Sequence, residues 1–476
     1  MERPVLPEAV RAALPPEVQA YIAFLEVENA QLAVRVSTLE TRLAEVEARL
    51  RQYSGNSSRP PSQDPPSAPS RPPKPATGRQ RGAQPGHPGH QRGLLPIDQV
   101  DAIVVHRPAC CPQCGTPLPA DAVPIGELHR HQVWELPPVP PVVTEHQYPR
   151  LRCPGCQQPV PPAAPAPSEA GAFGARVTAV LSLLHGRFRL STRETAAVLG
   201  TLFGVPVAVG SVPAACAETA AALAQPYAAV QHAVRASPHV NVDETGWRQA
   251  GARRWLWVVV GVLGTLFAVA AHRSRAVFTM LVGEAFTGIV GADRYSAYAQ
   301  VPLARRQLCW AHLQRNLAAF AAWGGAVGPW GTEAEALVGD LFATWHRFRR
   351  GELDRVRLAA AMEPHQAALR ALLERGCALA PPRALCQELL ACWPALWTFV
   401  RVPGVEPTNN AAERALRPAV LWRKGCFGAA SDTGNVFVAR MLTVTATCRQ
   451  QQRDLLPFLT ETIAAHRAGL PAPALI

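Results

Sequence analysis

Three acidic side chains lie where strands end or where a helix begins, and such positions suit the binding of catalytic metal ions. Asp243 closes an alternating, strand-like run, and Asp293 closes a shorter apolar run. Glu413 lies at the expected start of a helix, in a stretch that is otherwise neutral and basic. In phosphodiester chemistry, carboxylates of this kind hold two Mg²⁺ ions, with Mn²⁺ as a substitute, roughly 3.5–4 Å apart. These residue types therefore predict metal-dependent cleavage of a phosphodiester bond.

Glu413 has two local interpretations. Asn410 and Glu413 have the spacing of a capping box, in which the N-cap and third helical residues bond each other's backbone N–H groups. The alternative is a metal ligand that joins Asp243 and Asp293. The two roles are compatible, because Asn410 can start the helix while Glu413 faces the ions. Glu244 is adjacent to Asp243 and is expected on the opposite face of the strand.

The elements between the two aspartates follow the order that a ribonuclease H-like sheet requires. Residues 255–262 and 265–272 are a predicted strand pair, and residues 275–284 are a predicted helix. A strand with an acid, a hairpin, a helix and a second strand with an acid bring two aspartates to adjacent strand ends. We therefore predict a ribonuclease H-like catalytic domain over residues 236–450.

Two pairs of closely spaced cysteines indicate a structural zinc site. In each pair the cysteines are separated by two residues, and the four are Cys111, Cys114, Cys153 and Cys156. Two such turns complete a tetrahedral Zn²⁺ site that leaves no open position for water. Cys110 is adjacent to this set and is not expected to be a ligand. Strand-like runs at 129–136 and 142–148 complete a predicted zinc ribbon over residues 100–160.

A heptad pattern predicts a coiled coil over residues 15–52. The seam alternates spacings of three and four and consists of Ile22, Leu25, Asn29, Leu32, Val36, Leu39, Leu43, Val46 and Leu50. Asn29 occupies an a position, where a buried amide fixes register and favours a two-stranded coil. We therefore predict a homodimer or higher oligomer. The alternative is an amphipathic helix that packs within its own chain.

Composition favours a polyanionic partner. The chain of 476 residues has a formal net charge of +12 and a pI near 9.5, which suits nucleic acid, with an acidic membrane surface as the alternative. No signal peptide is visible at the N-terminus. The longest apolar run, 255–271, is shorter than the roughly 20 residues of a membrane-spanning helix. We expect no membrane segment and a cytoplasmic location.

Two further segments connect these regions. Residues 53–95 are basic and rich in Pro, Ser and Gly, which predicts a disordered linker because such a composition buries little apolar surface. Residues 171–235 are predicted to be helical, with a capping box at Ser191 and Glu194 and a turn at Gly204. Helices in this order are compatible with helix-turn-helix DNA binding, although two-helix turns are common in folds that never contact DNA.

Several motifs extend over nearly the whole chain. The most specific are Val242–Thr245 (VDET), Cys309–His312 (CWAH) and Asn409–Pro418 (NNAAERALRP). With the SSRPPS motif at 57–62, the QPGHPG motif at 84–89 and the paired cysteines, the chain resembles transposases of the insertion sequence 66 family. These are bacterial enzymes of the DDE class.

The resemblance implies specific roles for the acidic residues. The catalytic triad would be Asp243, Asp293 and Glu413, on a ribonuclease H-like fold with a helical insertion at about 300–403. The enzyme would free 3′-hydroxyls at the ends of its element and transfer them to target DNA. The family usually has Gly-Tyr after the second aspartate, whereas this chain has Arg294-Tyr295.

Two further groups of residues have open roles. Cys309 and His312 recur near the active site in the family, and simple packing one helical turn apart is the alternative to a chemical role. Four basic residues beside or after Glu413 are candidate phosphate contacts, with a solvated basic helix face as the alternative. They are Arg414, Arg417, Arg423 and Lys424.

The sequence thus predicts a multidomain α/β transposase. Coiled coil, linker, zinc ribbon and helical region precede the catalytic domain, and a C-terminal helix and tail occupy residues 451–476. The expected partners are terminal inverted repeats, target DNA and accessory proteins encoded by the element, in a bacterial cytoplasm at the nucleoid. One alternative is a catalytically inactive, zinc-containing DNA-binding or regulatory protein on the same fold. Another is a structure-specific nuclease.

Overall fold

The structure is a computed structural model that describes residues 8–50, 53, 92–162, 171–321 and 323–476. Most of the linker predicted for 53–95 therefore lies outside the described residues. The chain divides into two compact units, which are described separately. One unit comprises residues 1–69, 144–201 and 205–476, and the other comprises residues 70–143 and 202–204.

The N-terminal segment is helical, as predicted. A short helix α1 (Glu8–Ala12) precedes the 35-residue helix α2 (Pro16–Leu50). Apolar residues of the predicted seam are exposed in the single chain, with Leu32, Val36 and Leu39 between 50% and 62% exposed. A coiled-coil helix has an apolar seam that is exposed in the single chain and becomes buried against a partner helix. The pairing of α2 with a second chain stays a prediction.

The cysteine pairs lie in short turns. Strands β1 (Leu151–Arg152) and β2 (Pro159–Val160) pair in antiparallel fashion around the second cysteine pair. The strands predicted at 129–136 and 142–148 were wrong, because neither segment pairs with a strand in the part of the chain that the structure describes. Val133, Leu136 and Val142 are 81–96% exposed, so their β propensity has no neighbouring strand to pack against.

A five-stranded mixed sheet forms the centre of the larger unit. Its strands are β3 (His239–Gln249), β4 (Ala252–Val260), β5 (Thr265–Ala270), β6 (Ile289–Ala292) and β7 (Arg306–Leu308), in the spatial order β5-β4-β3-β6-β7. The first three strands are antiparallel, and β6 and β7 extend the sheet in parallel with β3. Helix α7 (Arg275–Val282) connects β5 to β6. The predicted order of strand, hairpin, helix and strand is confirmed.

The helical insertion begins later than the predicted position of about 300, because the sheet continues to Leu308. Strand β7 was missed since it is only three residues long and begins with two polar residues. Its Gln307 is buried and accepts a hydrogen bond from the Phe399 N–H at 2.8 Å. The insertion itself consists of α8 (Trp310–Ala321), α9 (Val327–Arg349), α10 (Arg355–Gly376), α11 (Arg383–Ala391), α12 (Trp393–Leu396) and α13 (Thr398–Arg401). These helices share an apolar core.

Four of the remaining helices precede β3 in the chain, and three follow the helical insertion. They are α3 (Ala175–Ser182), α4 (Thr192–Phe203), α5 (Ser211–Ala222), α6 (Ala224–Arg235), α14 (Asn410–Cys426), α15 (Asp432–Gln450) and α16 (Leu455–Arg467). A π-helical turn, Leu183–Arg187, follows α3. The predicted capping box is confirmed, because the Ser191 N–H donates to Glu194 at 2.9 Å and the Glu194 N–H donates to Ser191 at 3.2 Å.

The helices predicted as a DNA-binding region pack against the C-terminal helices. Arg467 of α16 donates to both carboxylate oxygens of Glu218 in α5, at 2.6 and 3.0 Å. Tyr227 of α6 donates its hydroxyl to the Phe267 carbonyl of β5 at 2.9 Å. These bonds fasten α5 and α6 to the sheet and to α16, and any contact of this region with DNA stays a prediction. No helix in the described ranges is long and apolar enough to cross a membrane.

Candidate active site

The register of the sheet places the two predicted aspartates side by side. Strands β3 and β6 are parallel neighbours in which Asn241 pairs with Gly291. Asp243 follows Asn241 by two residues and lies within β3, which continues to Gln249, so the predicted strand end at Asp243 was wrong. Asp293 follows Gly291 by two residues and comes directly after the last residue of β6. Because neighbouring strands lie roughly 4.8 Å apart in a sheet, this register brings the two aspartates close together. An added Cβ at Gly291 would lie 2.7 Å from the Asn241 side-chain nitrogen, so a larger residue here would displace the Asn241 amide.

Helix α14 brings Glu413 to this edge through Asn409. The Asn409 side chain is 1% exposed; its amide nitrogen donates to the Val242 carbonyl at 2.8 Å, and its oxygen accepts from Asn241 at 3.0 Å. The predicted N-cap was therefore off by one residue, since α14 begins at Asn410 and Asn409 occupies the cap position without a capping side-chain bond. The Asn409 amide bonds strand β3 instead.

Cys309 joins two helix starts. It lies between β7 and α8, and its sulfur accepts a hydrogen bond from the Asn409 N–H at 3.1 Å. Burial raises the pKa of the Cys309 thiol to about 11, so the group is neutral at physiological pH. The CWAH motif thus has a structural role that its spacing did not reveal, which is to hold the start of α8 against the start of α14.

Glu413 lies beside basic side chains of α8. His312 Nδ1 is 3.5 Å and Arg315 Nη2 is 3.7 Å from Glu413 Oε1. Both His312 Nδ1 and Glu413 Oε1 are buried and have no hydrogen-bond partner among the described residues. Burial and the nearby Arg315 lower the pKa of His312. Potential ligand atoms of Cys309, His312 and Glu413 all lie within 4.8 Å of one another.

The three predicted acids interact electrostatically. Burial raises the pKa of Asp243 well above its usual range, and the neighbouring charges of Glu244, Asp293 and Glu413 raise it further. The Glu244 N–H, which donates to Asp243 Oδ1 at 2.8 Å, acts in the opposite direction. Asp293 accepts a hydrogen bond from the Tyr295 N–H at 2.8 Å. The site therefore concentrates negative charge, which a bound cation would neutralise.

Glu244 is buried on the other face of β3, as expected from strand alternation. Its side chain is 1% exposed and forms an ion pair with Arg273, and Tyr298 donates its hydroxyl to the same carboxylate. Arg273 Nη2 also lies 3.8 Å from Asp293 Oδ2, and the guanidinium lies over the Tyr295 ring at 3.6 Å. The sequence did not single out Arg273 or Tyr298, because they lie 29 and 54 residues from Glu244 along the chain and no local pattern indicates their contact with it.

The arginine that departs from the family pattern does not pair with the aspartate beside it. Arg294 forms an ion pair with Glu388 of α11 and donates to Asn316 of α8 at 3.3 Å. The Arg294 guanidinium therefore contacts the helical insertion and not Asp293.

The candidate phosphate contacts differ in their availability. Arg414, Arg417 and Lys424 are exposed on α14. Arg423 is half-buried and donates from Nη1 to the Gly246 carbonyl and to the Thr245 hydroxyl, the latter at 3.1 Å. Arg423 therefore connects α14 to β3. The other three side chains are free to meet a polyanion.

Each predicted zinc-ligand pair forms a tight turn of its own. In the first, the Cys111 N–H donates to the Thr116 carbonyl at 2.9 Å and the Gly115 N–H donates to Cys111 at 2.9 Å. In the second, the Cys153 and Gln157 N–H groups make the equivalent two bonds, both at 2.9 Å. Hydrogen bonds from Thr116 lower the pKa of Cys114, and N–H groups of Cys156 and Gly155 lower the pKa of Cys153. The thiolate form is thus favoured at Cys114 in the first turn and at Cys153 in the second.

Comparison with known families identifies the class of this protein. Residues 170–436, more than half of the chain, match a model described as Transposase IS66 family. The chain belongs to the insertion sequence 66 family of transposases. Residues 108–157 match the zinc-finger binding domain of transposase IS66, which includes all four predicted ligands and supports structural zinc.

Other similarities are less informative about function. Residues 12–93 match a family of unknown function, DUF6444. Two proteins of Sinorhizobium fredii (strain NBRC 101917 / NGR234) are similar to parts of the chain. The uncharacterized protein y4qI is 28% identical over 207 residues, which cover 39% of this chain and 37% of that protein. The uncharacterized protein y4hP is 37% identical over 95 residues, which cover 20% of this chain and 17% of that protein.

Proposed function

We propose that the chain is a DDE-type transposase with a ribonuclease H-like catalytic domain. It binds the ends of its element, hydrolyses phosphodiester bonds to free 3′-hydroxyls, and transfers these to target DNA. The observation that supports this function most strongly is that Asp243 in β3 and Asp293 directly after β6 each lie two residues beyond the paired Asn241 and Gly291. There the charges of Asp293 and Glu413 both act on Asp243. The sheet order, with an antiparallel hairpin followed by two parallel strands, agrees with the proposed fold.

The donor set suits Mg²⁺. Asp243, Asp293 and Glu413 offer only oxygen atoms, which are the ligands that Mg²⁺ and Mn²⁺ prefer. Glu413 Oε1 is buried without a hydrogen-bond donor, so it is available to a cation. Two Mg²⁺ ions bound by these residues would supply activation of the attacking oxygen and stabilisation of the departing one.

Neighbouring side chains position the acids. His312 and Arg315 flank Glu413 at 3.5 and 3.7 Å from its Oε1 atom, and Arg273 connects Asp293 to the buried Glu244. Cys309 is a poor partner for Mg²⁺, because its sulfur is soft, its thiol is neutral and it already accepts the Asn409 N–H.

The accessory regions supply DNA binding and assembly in this proposal. Cys111, Cys114, Cys153 and Cys156 bind one structural Zn²⁺, as the zinc-finger match supports. Helix α2 pairs with a second copy of the chain through its exposed seam. Exposed Arg414, Arg417 and Lys424 contact phosphates near the cleavage site, whereas Arg423 contributes mainly through its bonds to β3. Accessory proteins encoded by the element complete the assembly.

Cleavage of element-end DNA by the purified full chain with Mg²⁺ tests the triad. We expect Asp243→Asn, Asp293→Asn and Glu413→Gln each to reduce nicking by more than about a hundredfold, beyond the 10–100-fold typical of residues around a metal site. DNA binding and the unfolding temperature should change little, because the replacements preserve side-chain shape.

Glu335→Gln is the matched control, because Glu335 is an exposed acid of the insertion and its replacement should leave nicking unchanged. Nicking that persists in the Asp293 and Glu413 variants would contradict the triad. Binding without any nicking by the wild type would favour the inactive DNA-binding protein. Cleavage that ignores the terminal repeats would favour a structure-specific nuclease.

A further inference from the structure

Helix α14 borders a cavity on a face that does not carry Glu413. The cavity has a volume of about 460 Å³ and is lined along α14 by Ala411, Arg414, Ala415, Pro418 and Trp422. Its other walls come from the end of the π-helical turn and Arg189 after it, from β4 and β5, and from helix α15. The volume lies within the range of pockets that bind small ligands.

Four arginines line this cavity without a carboxylate partner. They are Arg187, Arg189, Arg414 and Arg449. Among the residues that the structure describes, none of the four has a carboxylate within ion-pair distance. Guanidinium groups bind phosphate with two parallel hydrogen bonds. The lining therefore complements an anionic group.

The remainder of the cavity is apolar, with one polar atom. Buried Phe267, Trp422 and Leu442 contribute aromatic and aliphatic surface. Thr445 also belongs to the lining, and its hydroxyl is buried without a hydrogen-bond partner in the part of the chain that the structure describes. A buried polar atom without a partner in a folded protein calls for a missing donor or acceptor. A ligand with a flat apolar body and polar edges would pack against the apolar lining and bond the Thr445 hydroxyl.

Arg189 adopts an unusual backbone conformation. Its φ angle is +65°, in the left-handed region that residues other than glycine seldom occupy. Conformations of this kind persist where the surrounding structure enforces them, and they cluster at ligand sites. The strain thus falls on one of the arginines that line the cavity.

We propose that this cavity receives one extrahelical nucleotide of bound DNA. The arginines hold its phosphate, and the apolar wall accepts the base, which has a π-face available once it leaves the duplex stack. The inference rests on the DNA binding of the proposed function. It adds a site on α14 that holds the nucleotide while Glu413, on another face of the same helix, acts at the cleavage centre.

Affinity for three duplexes of equal length tests this site. One is fully paired, one contains an unpaired adenosine, and one contains an unpaired abasic residue that supplies the phosphate without the base. With the full, zinc-loaded chain, fluorescence anisotropy should give about tenfold tighter binding to the unpaired adenosine, as expected for one base bound against aromatic surface. The abasic duplex should bind like the paired one.

Two kinds of variant separate the cavity from general charge. Ala415→Trp fills the cavity without changing the charge, and it should remove the preference for the unpaired adenosine. The double variant Arg189→Ala/Arg414→Ala should do the same. Arg357→Ala is the control for charge, because Arg357 is exposed on α10, away from the cavity, and it should retain the preference. Unfolding temperatures establish that each variant is folded.

Defined outcomes would overturn the inference. Equal affinity of the wild type for all three duplexes would do so, as would a preference that survives in the Ala415→Trp variant. Competition by free deoxyadenosine monophosphate that removes all duplex binding would assign the cavity to a free nucleotide instead. The assay needs neither element ends nor cleavage, so a wild-type protein that prefers the unpaired adenosine without nicking DNA would contradict the transposase mechanism and retain this site.

Discussion

At the scale of single residues, the candidate active site depends on how the negative charge of the buried Glu244 carboxylate is balanced. Glu244 is nearly inaccessible, and its charge is balanced by Arg273 and by the Tyr298 hydroxyl. Burial still raises the pKa of Glu244, because those two partners offset only part of the desolvation. Arg273 also lies near Asp293. The buried ion pair and Asp293, a proposed metal ligand, therefore share one guanidinium.

Arg273→Met is expected to destabilise the catalytic domain by about 2–3 kcal/mol, because it leaves the Glu244 charge buried without its cation. Chemical denaturation of the full chain, followed by tryptophan fluorescence, measures the change. The double variant Arg273→Met/Glu244→Gln should recover part of the loss, since it removes the unpaired charge as well. An equal loss in the single and double variants would show that the pair contributes mainly through packing.

At the scale of elements, helix α14 is held at both ends. Asn409 and Cys309 fasten its start to β3 and α8. At its other end, Phe427 adopts the left-handed conformation, and Gly428 follows with φ +119°. A Cβ on Gly428 would lie 2.2 Å from the Arg248 carbonyl, so only glycine allows the chain to pass β3 here. These attachments determine where Glu413 points.

His185 connects the π-helical turn to α14 and α15 and should make stability depend on pH. It bonds the Leu190 carbonyl at 2.8 Å and packs between Trp422 and Phe437, both with ring centroids at 6.1 Å. Burial lowers the pKa of His185, partly offset by the Leu190 bond. The folded state therefore disfavours protonation, and stability should fall as pH decreases below the unfolded value of about 6.5.

Unfolding temperatures at pH 7.5 and 5.5 measure this effect. The drop between the two pH values should be smaller in His185→Gln than in the wild type, because the amide can bond Leu190 without titrating. His232→Gln, which replaces an exposed histidine of α6, serves as the control and should keep the wild-type drop. The same drop in both variants would rule out His185 as its source.

At the scale of the whole molecule, the chain contains a long N-terminal helix, a cysteine-rich region and a five-stranded sheet with its helices. Metal analysis should give about one tightly bound Zn²⁺ per chain, because four thiolates complete one tetrahedral site. Cys153→Ser should lose the metal, whereas Cys110→Ser should keep it. Full zinc retention in the Cys153 variant, with normal folding, would count against the four-cysteine site.

The apolar seam of α2 predicts self-association. Leu32→Glu/Leu39→Glu places charges in the seam and should convert the oligomer to monomers, because buried carboxylates would lack partners. Val34→Glu is the control, since Val34 is 67% exposed and lies on the opposite side of the heptad. Light scattering coupled to size exclusion gives the mass of each. An unchanged mass in the seam variant would show that α2 does not assemble the protein.

Much of the catalytic fold was predictable because strong local patterns agree with it. The alternation in β3, the hairpin of β4 and β5 and the capping box at Ser191 all depend on neighbouring residues, and each was found. The strands expected at 129–136 and 142–148 failed because a strand needs a partner that local propensity does not supply. Strand β7 was missed because its own residues show little strand propensity, and its pairing with β6 supplies the strand structure instead.

The sequence by itself determined the identities of the acids, their order and the spacing of the cysteines, because these are properties of the chain. Only the tertiary structure decided which groups surround Glu413. His312 and Arg315 approach it from α8, about a hundred residues earlier in the chain, through the contact of Cys309 with Asn409. Glu413 retains its place in the first turn of a helix, but Asn409 positions that helix by bonding β3. Such contacts arise from packing between distant segments, which no local pattern encodes.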